Sequence, residues 1–139
     1  MKYWLLKTEP EEWSWEDQVK CDYKGSVWDG VRNFQARNNL KNISKNDKCF
    51  FYHTGKEKKI VGIVKVVKEY FPDLSDKTGN FGSIMVRNYK KLKLPVTLKD
   101  IKNHRFLQHL PLIKQSRLSV MKIDSKSWKI ICKMGKINF

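Results

Sequence analysis

The segment KCFFYHTGKEKKIVGIVKVVKEY, residues 48–70, decides the fold class. Its β-branched and aromatic residues predict two strands, KCFFYHT (48–54) and a longer, partly alternating KKIVGIVKVVKEY (58–70). A third strand, SIMVRNYKKLKL (83–94), follows a surface loop rich in Pro, Gly and Asp (71–82). Strands in such a run favour a mostly antiparallel sheet, which we expect to curl into a barrel.

Shorter elements flank this run. YWLLK (3–7) predicts an opening strand that stops before Pro10, and RLSVMKI (117–123) predicts a late strand. Helices are predicted at four places: after the caps Ser14, Asp29 and Thr97, and over 125–134. In the second helix, apolar residues at 36, 40 and 43 form one stripe toward the core. We therefore expect one α+β domain over residues 1–139, a β-barrel with flanking α-helices.

Net charge is the strongest global signal. Lys and Arg number 29 against 14 Asp and Glu, which gives a net charge of +15 and predicts a polyanionic partner. Most of these cations are Lys, a bias that an AT-rich genome can also produce. The distribution says more, because residues 1–29 carry a net −3 (four Lys, seven acids) and residues 30–139 carry a net +18. One part of the surface is expected to be basic and another not.

Several classes of protein do not fit the sequence. No apolar run approaches the roughly 18 residues of a membrane helix, and the N-terminal residues do not match a secretory signal. The three cysteines have no metal-ligand or disulfide spacing, so reduced thiols are expected. The three histidines are scattered and no catalytic motif is present, so we expect no enzyme, no cofactor and no metal. We expect a cytoplasmic protein of a bacterial host, or a nuclear one if the host is eukaryotic.

The segment WDGVRNFQARNN (28–39) concentrates polar residues other than Lys. Asn is a poor helix former, so its repeated use suggests specific hydrogen bonds. Asn33 and Arg37 are four residues apart and can share a helix face, where an amide could contact a base edge and a guanidinium a phosphate. Trp28, and less clearly Trp13, could offer an indole face for base stacking. The alternative is that these side chains only tie the helix to the sheet.

Four stretches carry a resemblance to a known family: KYWLLKTEPEEWSWED (2–17), WDGVRNFQARNNL (28–40), FFYHTGKEKKIVGIVKV (50–66) and IKQSRLSV (113–120). Together, in this order, they resemble the EVE domain, a member of the PUA-like superfamily related to the YTH domains that read methylated adenine. The resemblance implies a PUA-like, mostly antiparallel β-barrel with flanking α-helices and a pocket for one modified base.

The same resemblance implies a set of ligand-binding residues. They come from the first strand, the 28–40 segment, the FFYHT strand and the QSRLSV stretch: Lys7, Thr8, Glu9, Trp28, Asn33, Arg37, Tyr52, His53, Ser116, Arg117 and Ser119. Family members often have Ser where this chain has Thr8 and Thr54. The added methyl groups are expected to tighten the pocket.

The function expected from the resemblance is recognition of a modified nucleobase, a modified cytosine in DNA, turned out of its stack into an aromatic and polar pocket. An RNA-binding module for modified tRNA or rRNA is the first alternative, and a hydrolase acting on nucleic acid is the second. The expected partner is nucleic acid, with no membrane, and the chain is expected to act as a monomer.

Overall fold

The computed structural model describes residues 1–138, which form one six-stranded sheet with helices on both faces. The elements in chain order are β1 (Tyr3–Thr8), α1 (Trp15–Lys20), β2 (Ser26–Trp28), α2 (Phe34–Lys41), β3 (Lys48–His53), β4 (Lys59–Pro72), β5 (Gly82–Thr97), α3 (Leu98–Lys102), α4 (Pro111–Lys114), β6 (Val120–Ile123) and α5 (Ser125–Met134). A 3₁₀ turn over Asp22–Lys24 leads into β2. Strands β3, β4 and β5 and helix α5 confirm the predictions made from the sequence.

The sheet has the strand order β2-β5-β4-β3-β1-β6, and all pairs are antiparallel except β1 with β3. The prediction of a closed barrel was wrong, because β2 and β6 remain as two edges. These edge strands have only three and four residues. Helix α2 contacts both β6 and β5, and the Asn39 side-chain amide donates to the Val120 carbonyl on the β6 edge at 2.7 Å. The helix thus occupies the place where strand pairing would close a barrel.

Two capping predictions are confirmed and one is corrected. Ser14 and Thr97 begin α1 and α3 with complete capping boxes. The cap of α2 is Asn33, not Asp29, because its side chain accepts from the Ala36 N–H at 2.9 Å. Ahead of it, Gly30 has a φ of +77°, a left-handed conformation that favours glycine and keeps the preceding residues out of the helix.

Adjacent phenylalanines of β3 face opposite sides of the sheet and organise two apolar layers. Phe50 stacks on Trp128 of α5, with ring centroids 3.9 Å apart. Phe51 meets Trp15 and Trp28 edge to face at 5.3 and 5.5 Å on the other side. Trp4 and Trp128 are fully buried, as the sequence predicted.

A buried carboxylate, Asp47, anchors the start of the sheet. It is 3% exposed and accepts from the Trp4 indole N–H at 2.9 Å, the Lys2 N–H at 3.1 Å and the Ser44 N–H at 2.9 Å. This carboxylate joins β1 to the turn that precedes β3. Within residues 1–138, no helix is long and apolar enough to cross a membrane.

Candidate nucleic-acid-binding site

A cavity of about 590 Å³ opens where β1 ends; we call it the β1 cavity. Its walls are residues 7–9 and 12–13, the β2 end and following loop at 27–33, and Ser119 just before β6. These segments converge because β1 lies beside β6, and because the loop after β2 turns back toward the sheet at Gly30. Its size is typical of a small-molecule or cofactor site.

The structure brings together six of the eleven residues predicted for the site. The six that line the β1 cavity are Lys7, Thr8, Glu9, Trp28, Asn33 and Ser119. Ser116 and Arg117 line a neighbouring hollow of about 300 Å³, the Arg117 hollow, which shares Asn33 with the cavity. The remaining three, Arg37, Tyr52 and His53, do not line the β1 cavity.

Each of those three side chains has another environment. His53 lines a separate cleft of about 860 Å³. Its Nε2 atom accepts from the Trp15 backbone N–H, so the ring hydrogen is on Nδ1, which donates to the Glu57 carboxylate at 2.9 Å. Tyr52 is buried behind Lys7, and burial raises the pKa of Tyr52 to about 12. Arg37 lies over the Phe34 ring outside the cavity.

Aromatic and apolar side chains form one wall of the β1 cavity. Trp28 is only 7% exposed, since its indole packs against Phe51, so it presents a narrow part of its surface rather than the open face expected from the sequence. Trp13 is half-buried and donates from its indole N–H to Gln18 at 2.9 Å. Val27 and Val31 also line the cavity, which therefore has an apolar surface suited to a ring or a methyl group.

Charged groups of both signs line the rest of the cavity. The Lys7 ammonium donates to the Ser116 carbonyl at 2.9 Å, and burial lowers the pKa of Lys7 below its ordinary value. The Glu9 carboxylate accepts from the Thr54 hydroxyl at 3.2 Å. It lies so close to Gly55 that a Cβ atom at that position would clash with it. Together with Glu12, it gives the cavity carboxylates that can accept hydrogen bonds from a ligand amine.

Asparagine side chains in the WDGVRNFQARNN segment mainly serve the fold. Asn33 caps α2 through its oxygen, and Asn39 binds the edge of β6. The Asn39 contact agrees with the alternative that these amides tie the helix to the sheet. Within the described residues the Asn33 NH₂ group has no protein acceptor, so it can donate into the cavity or the hollow.

The loop between β4 and β5 braces the cavity through Asp73, a contribution that sequence reasoning missed. Asp73 is 5% exposed and accepts from the Gly30 N–H at 3.1 Å, from Arg32 at 3.0 Å and from the Ser75 N–H at 2.8 Å. Burial alone would raise the pKa of Asp73, but the hydrogen bonds from Ser75, Arg32 and Gly30 outweigh it and hold that pKa well below its usual range. In the sequence this segment differs in no way from an ordinary polar surface loop.

The Asp73→Asn variant is expected to unfold at lower urea concentration, with a loss of about 1–3 kcal/mol at pH 7, because an amide cannot accept at both former oxygens. Since the folded pKa is depressed, the stabilisation by Asp73 is complete above about pH 4 and is lost as the pH falls through the folded pKa. The difference in free energy of unfolding between the wild type and the variant should therefore be smaller when urea unfolding is repeated at pH 3. A gap that stays constant would contradict the role given to the carboxylate.

One set of side chains has the composition, but not the geometry, of a catalytic triad. Asp124 and the Ser127 hydroxyl both contact the same nitrogen of His109, Nε2, at 2.8 and 3.2 Å. A Ser-His-Asp triad needs the two partners on different ring nitrogens. Ser127 is also fully buried, and Asp124 serves as the cap of α5. Among residues 1–138, no group of His, Cys, Asp and Glu side chains could hold a metal ion.

Comparison with known proteins identifies the family. The model of the EVE domain matches residues 2–134 of the chain. The chain belongs to the EVE domain family. Thymocyte nuclear protein 1 from Gallus gallus is 31% identical over 93% of this EVE chain, which spans 66% of that relative's length.

Solved structures resemble this EVE domain throughout its length. A protein from Agrobacterium tumefaciens superposes with a TM-score of 0.94 at 37% identity, covering 99% of this chain and 94% of the other. Human THYN1 in complex with DNA containing 5-methylcytosine superposes with a TM-score of 0.87 at 26% identity, covering all of both chains. The EVE resemblance predicted from the four sequence stretches is thus confirmed.

Proposed function

We propose that this EVE domain binds DNA and holds one modified cytosine, turned out of its stack, in the β1 cavity. The observation that carries the proposal is the cavity itself, which combines an apolar wall with hydrogen-bonding groups of both kinds. The DNA complex of the human relative supports the choice of 5-methylcytosine as the first ligand to test. Six residues expected from the family resemblance line this cavity, which supports its selection over the His53 cleft.

The lining suits the chemistry of a methylated cytosine. A cytosine edge carries an amine that donates, beside ring and carbonyl acceptors. Glu9 and Glu12 supply carboxylates for the amine, while Lys7 and the Asn33 amide supply donors for the acceptors. A C5 methyl group gains from burial against the apolar wall, by about 0.8 kcal/mol for one carbon.

Phosphate contacts are proposed to supply most of the affinity without reading the base. The net charge of +18 beyond residue 29 supports this division, since the acidic groups concentrate in the N-terminal segment that lines part of the cavity. Turning a base out costs a few kcal/mol, which contacts inside the cavity must offset. Strong salt dependence combined with selectivity for the modification is therefore expected.

We propose binding without a chemical reaction, without a cofactor and by one chain per modified base. The histidine environments described above support this proposal, because each ring is engaged in the fold or lies away from the β1 cavity. A hydrolase acting on nucleic acid would reveal itself by altered bases when the protein and the modified oligonucleotide are incubated together and analysed by mass spectrometry.

The proposal is tested by fluorescence anisotropy with matched duplexes that differ only at one cytosine, plain or 5-methylated. We expect about fourfold tighter binding of the methylated duplex, the fold-change equivalent of about 0.8 kcal/mol for one buried carbon. The affinity for both duplexes should fall with a similar slope as salt increases. Equal affinity for plain cytosine and a panel of modified cytosines would overturn the proposal. Tighter binding of the matching RNA would move the target to RNA.

A further inference from the structure

An exposed aromatic cluster stands beside the β1 cavity; we call it the Phe34 platform, formed by Arg32, Phe34, Arg37 and Phe81. Phe34 is 55% exposed, and its ring meets that of Phe81 at 5.1 Å between centroids. The Arg37 guanidinium lies 4.9 Å over the Phe34 ring, and that of Arg32 lies 5.6 Å over Phe81. Two of the five arginines of the chain thus converge on one pair of rings, of which Phe34 is exposed and Phe81 is buried.

Phe34 is not one of the core positions of α2. The buried positions of α2 are Ala36 and Leu40, whereas Phe34 is the first residue of the helix and points outward. Leaving a large apolar ring in water forgoes the free energy of burial. The Arg37 guanidinium covers the Phe34 ring only in part, so an aromatic surface flanked by positive charge remains open to a partner.

The platform is continuous with the β1 cavity and is held rigidly. Arg32 is part of the cavity wall, and Asn33, next to Phe34, lines both the cavity and the Arg117 hollow. The Asp73 carboxylate forms an ion pair with the Arg32 guanidinium, with 3.0 Å between oxygen and nitrogen, and the Asn33 side chain caps the start of α2. Phe34 thus directly follows a residue that the cavity and the hollow share.

We propose that the Phe34 platform stacks on a base that is left exposed when the neighbouring modified base enters the β1 cavity; this inference rests on the proposed function. Extrusion of one base leaves the faces of its two strand neighbours that had contacted it without a stacking contact. Aromatic side chains stack on any base, and arginine adds cation–π and phosphate contacts. The platform thus contributes to binding of the strand and not to the choice of modification.

Phe106 provides a matched control for Phe34. It is also exposed, at 48%, with Arg105 at 4.6 Å and Lys126 at 5.2 Å over its ring. Lys126 belongs to α5, which covers the Phe50 face of the sheet, opposite the face that carries Trp28 of the β1 cavity. Phe106→Ala removes the same kind of aromatic and cationic surface at a place remote from the cavity.

The test measures two affinities for each variant: that for a duplex with one 5-methylcytosine, by anisotropy, and that for free 5-methyl-2′-deoxycytidine, by ligand-observed NMR. Phe34→Ala should weaken duplex binding about 5- to 150-fold, the fold-change equivalent of one base stack. It should leave nucleoside binding unchanged. Phe34→Leu should resemble Phe34→Ala, Phe34→Trp should restore duplex binding, and Phe106→Ala should match the wild type.

Other outcomes separate this inference from the proposed function. Equal duplex affinity for Phe34→Ala and Phe106→Ala would overturn the platform while leaving the cavity proposal intact. A parallel loss of nucleoside binding in Phe34→Ala would also overturn it, because the ring would then shape the cavity. If the wild type instead showed no preference for the methylated duplex, the proposed function would fail. A loss confined to the plain duplex would overturn the platform too, because the base proposed to stack on Phe34 is exposed only when the modified base enters the cavity.

Discussion

Ser119→Trp is expected to abolish the preference for methylated cytosine while sparing the fold and the salt-dependent binding of plain DNA. Ser119 lines the β1 cavity, and its backbone carbonyl accepts from the Lys7 N–H at 2.9 Å. That contact survives the substitution. An indole in place of a hydroxymethyl group fills the space proposed for the base, so the ratio of the two affinities should fall from about four to one.

The matched control for this substitution is Ser125→Trp. Ser125 is exposed at the first position of α5, which packs on the sheet face opposite Trp28. This variant should bind methylated and plain duplexes as the wild type does. Anisotropy titrations at two salt concentrations separate the effects, since blocking the cavity changes selectivity and not the salt slope. Undiminished selectivity in Ser119→Trp would place the modified base outside the β1 cavity.

Asp47→Ala is expected to lower the free energy of unfolding by about 3–5 kcal/mol, because three donors lose their acceptor at about 1–3 kcal/mol each. The loss would leave three donors without an acceptor: the Trp4 indole and the N–H groups of Lys2 and Ser44. The indole is fully enclosed, so water cannot replace the carboxylate without opening the core. The midpoint of urea unfolding should fall with an unchanged m-value.

Asp47→Asn is the control that separates acceptor geometry from packing. The amide keeps the size of the side chain and one acceptor oxygen, which can still serve the Trp4 indole. We expect a loss of about 1–3 kcal/mol, smaller than that of the alanine variant. A change below about 1 kcal/mol in Asp47→Ala would mean that the network does not support β1 in the way described.

Local chemistry explains which elements were predictable. β-Branched runs and the capping boxes at Ser14 and Thr97 encode structure within a few residues, and both are found in the fold. Closure of the sheet is different, because it depends on whether two distant edges meet. The intervening α2 and the Asn39 contact with Val120 have no signature in the hydrophobic pattern. The three-residue β2 is likewise too short to produce a detectable period.

The site was predictable only through the family resemblance, since segments 7–9, 27–33 and 119 are far apart in the chain and no period connects them. Helical spacing suggested that Asn33 and Arg37 act together. The structure separates them, because Asn33 caps the helix and lines the cavity while Arg37 lies on the Phe34 ring. The bracing by Asp73 depends on a tertiary approach that sequence spacing does not encode.

The most direct measurement places a ¹³C-labelled methyl group on one 5-methylcytosine of a duplex and records isotope-filtered NOEs in the complex. Entry of that base into the β1 cavity predicts NOEs from the methyl group to side-chain protons of Trp13, Trp28 or Val31, which form the apolar wall. Methyl NOEs confined to neighbouring nucleotides, as in an undisturbed stack, would contradict the account.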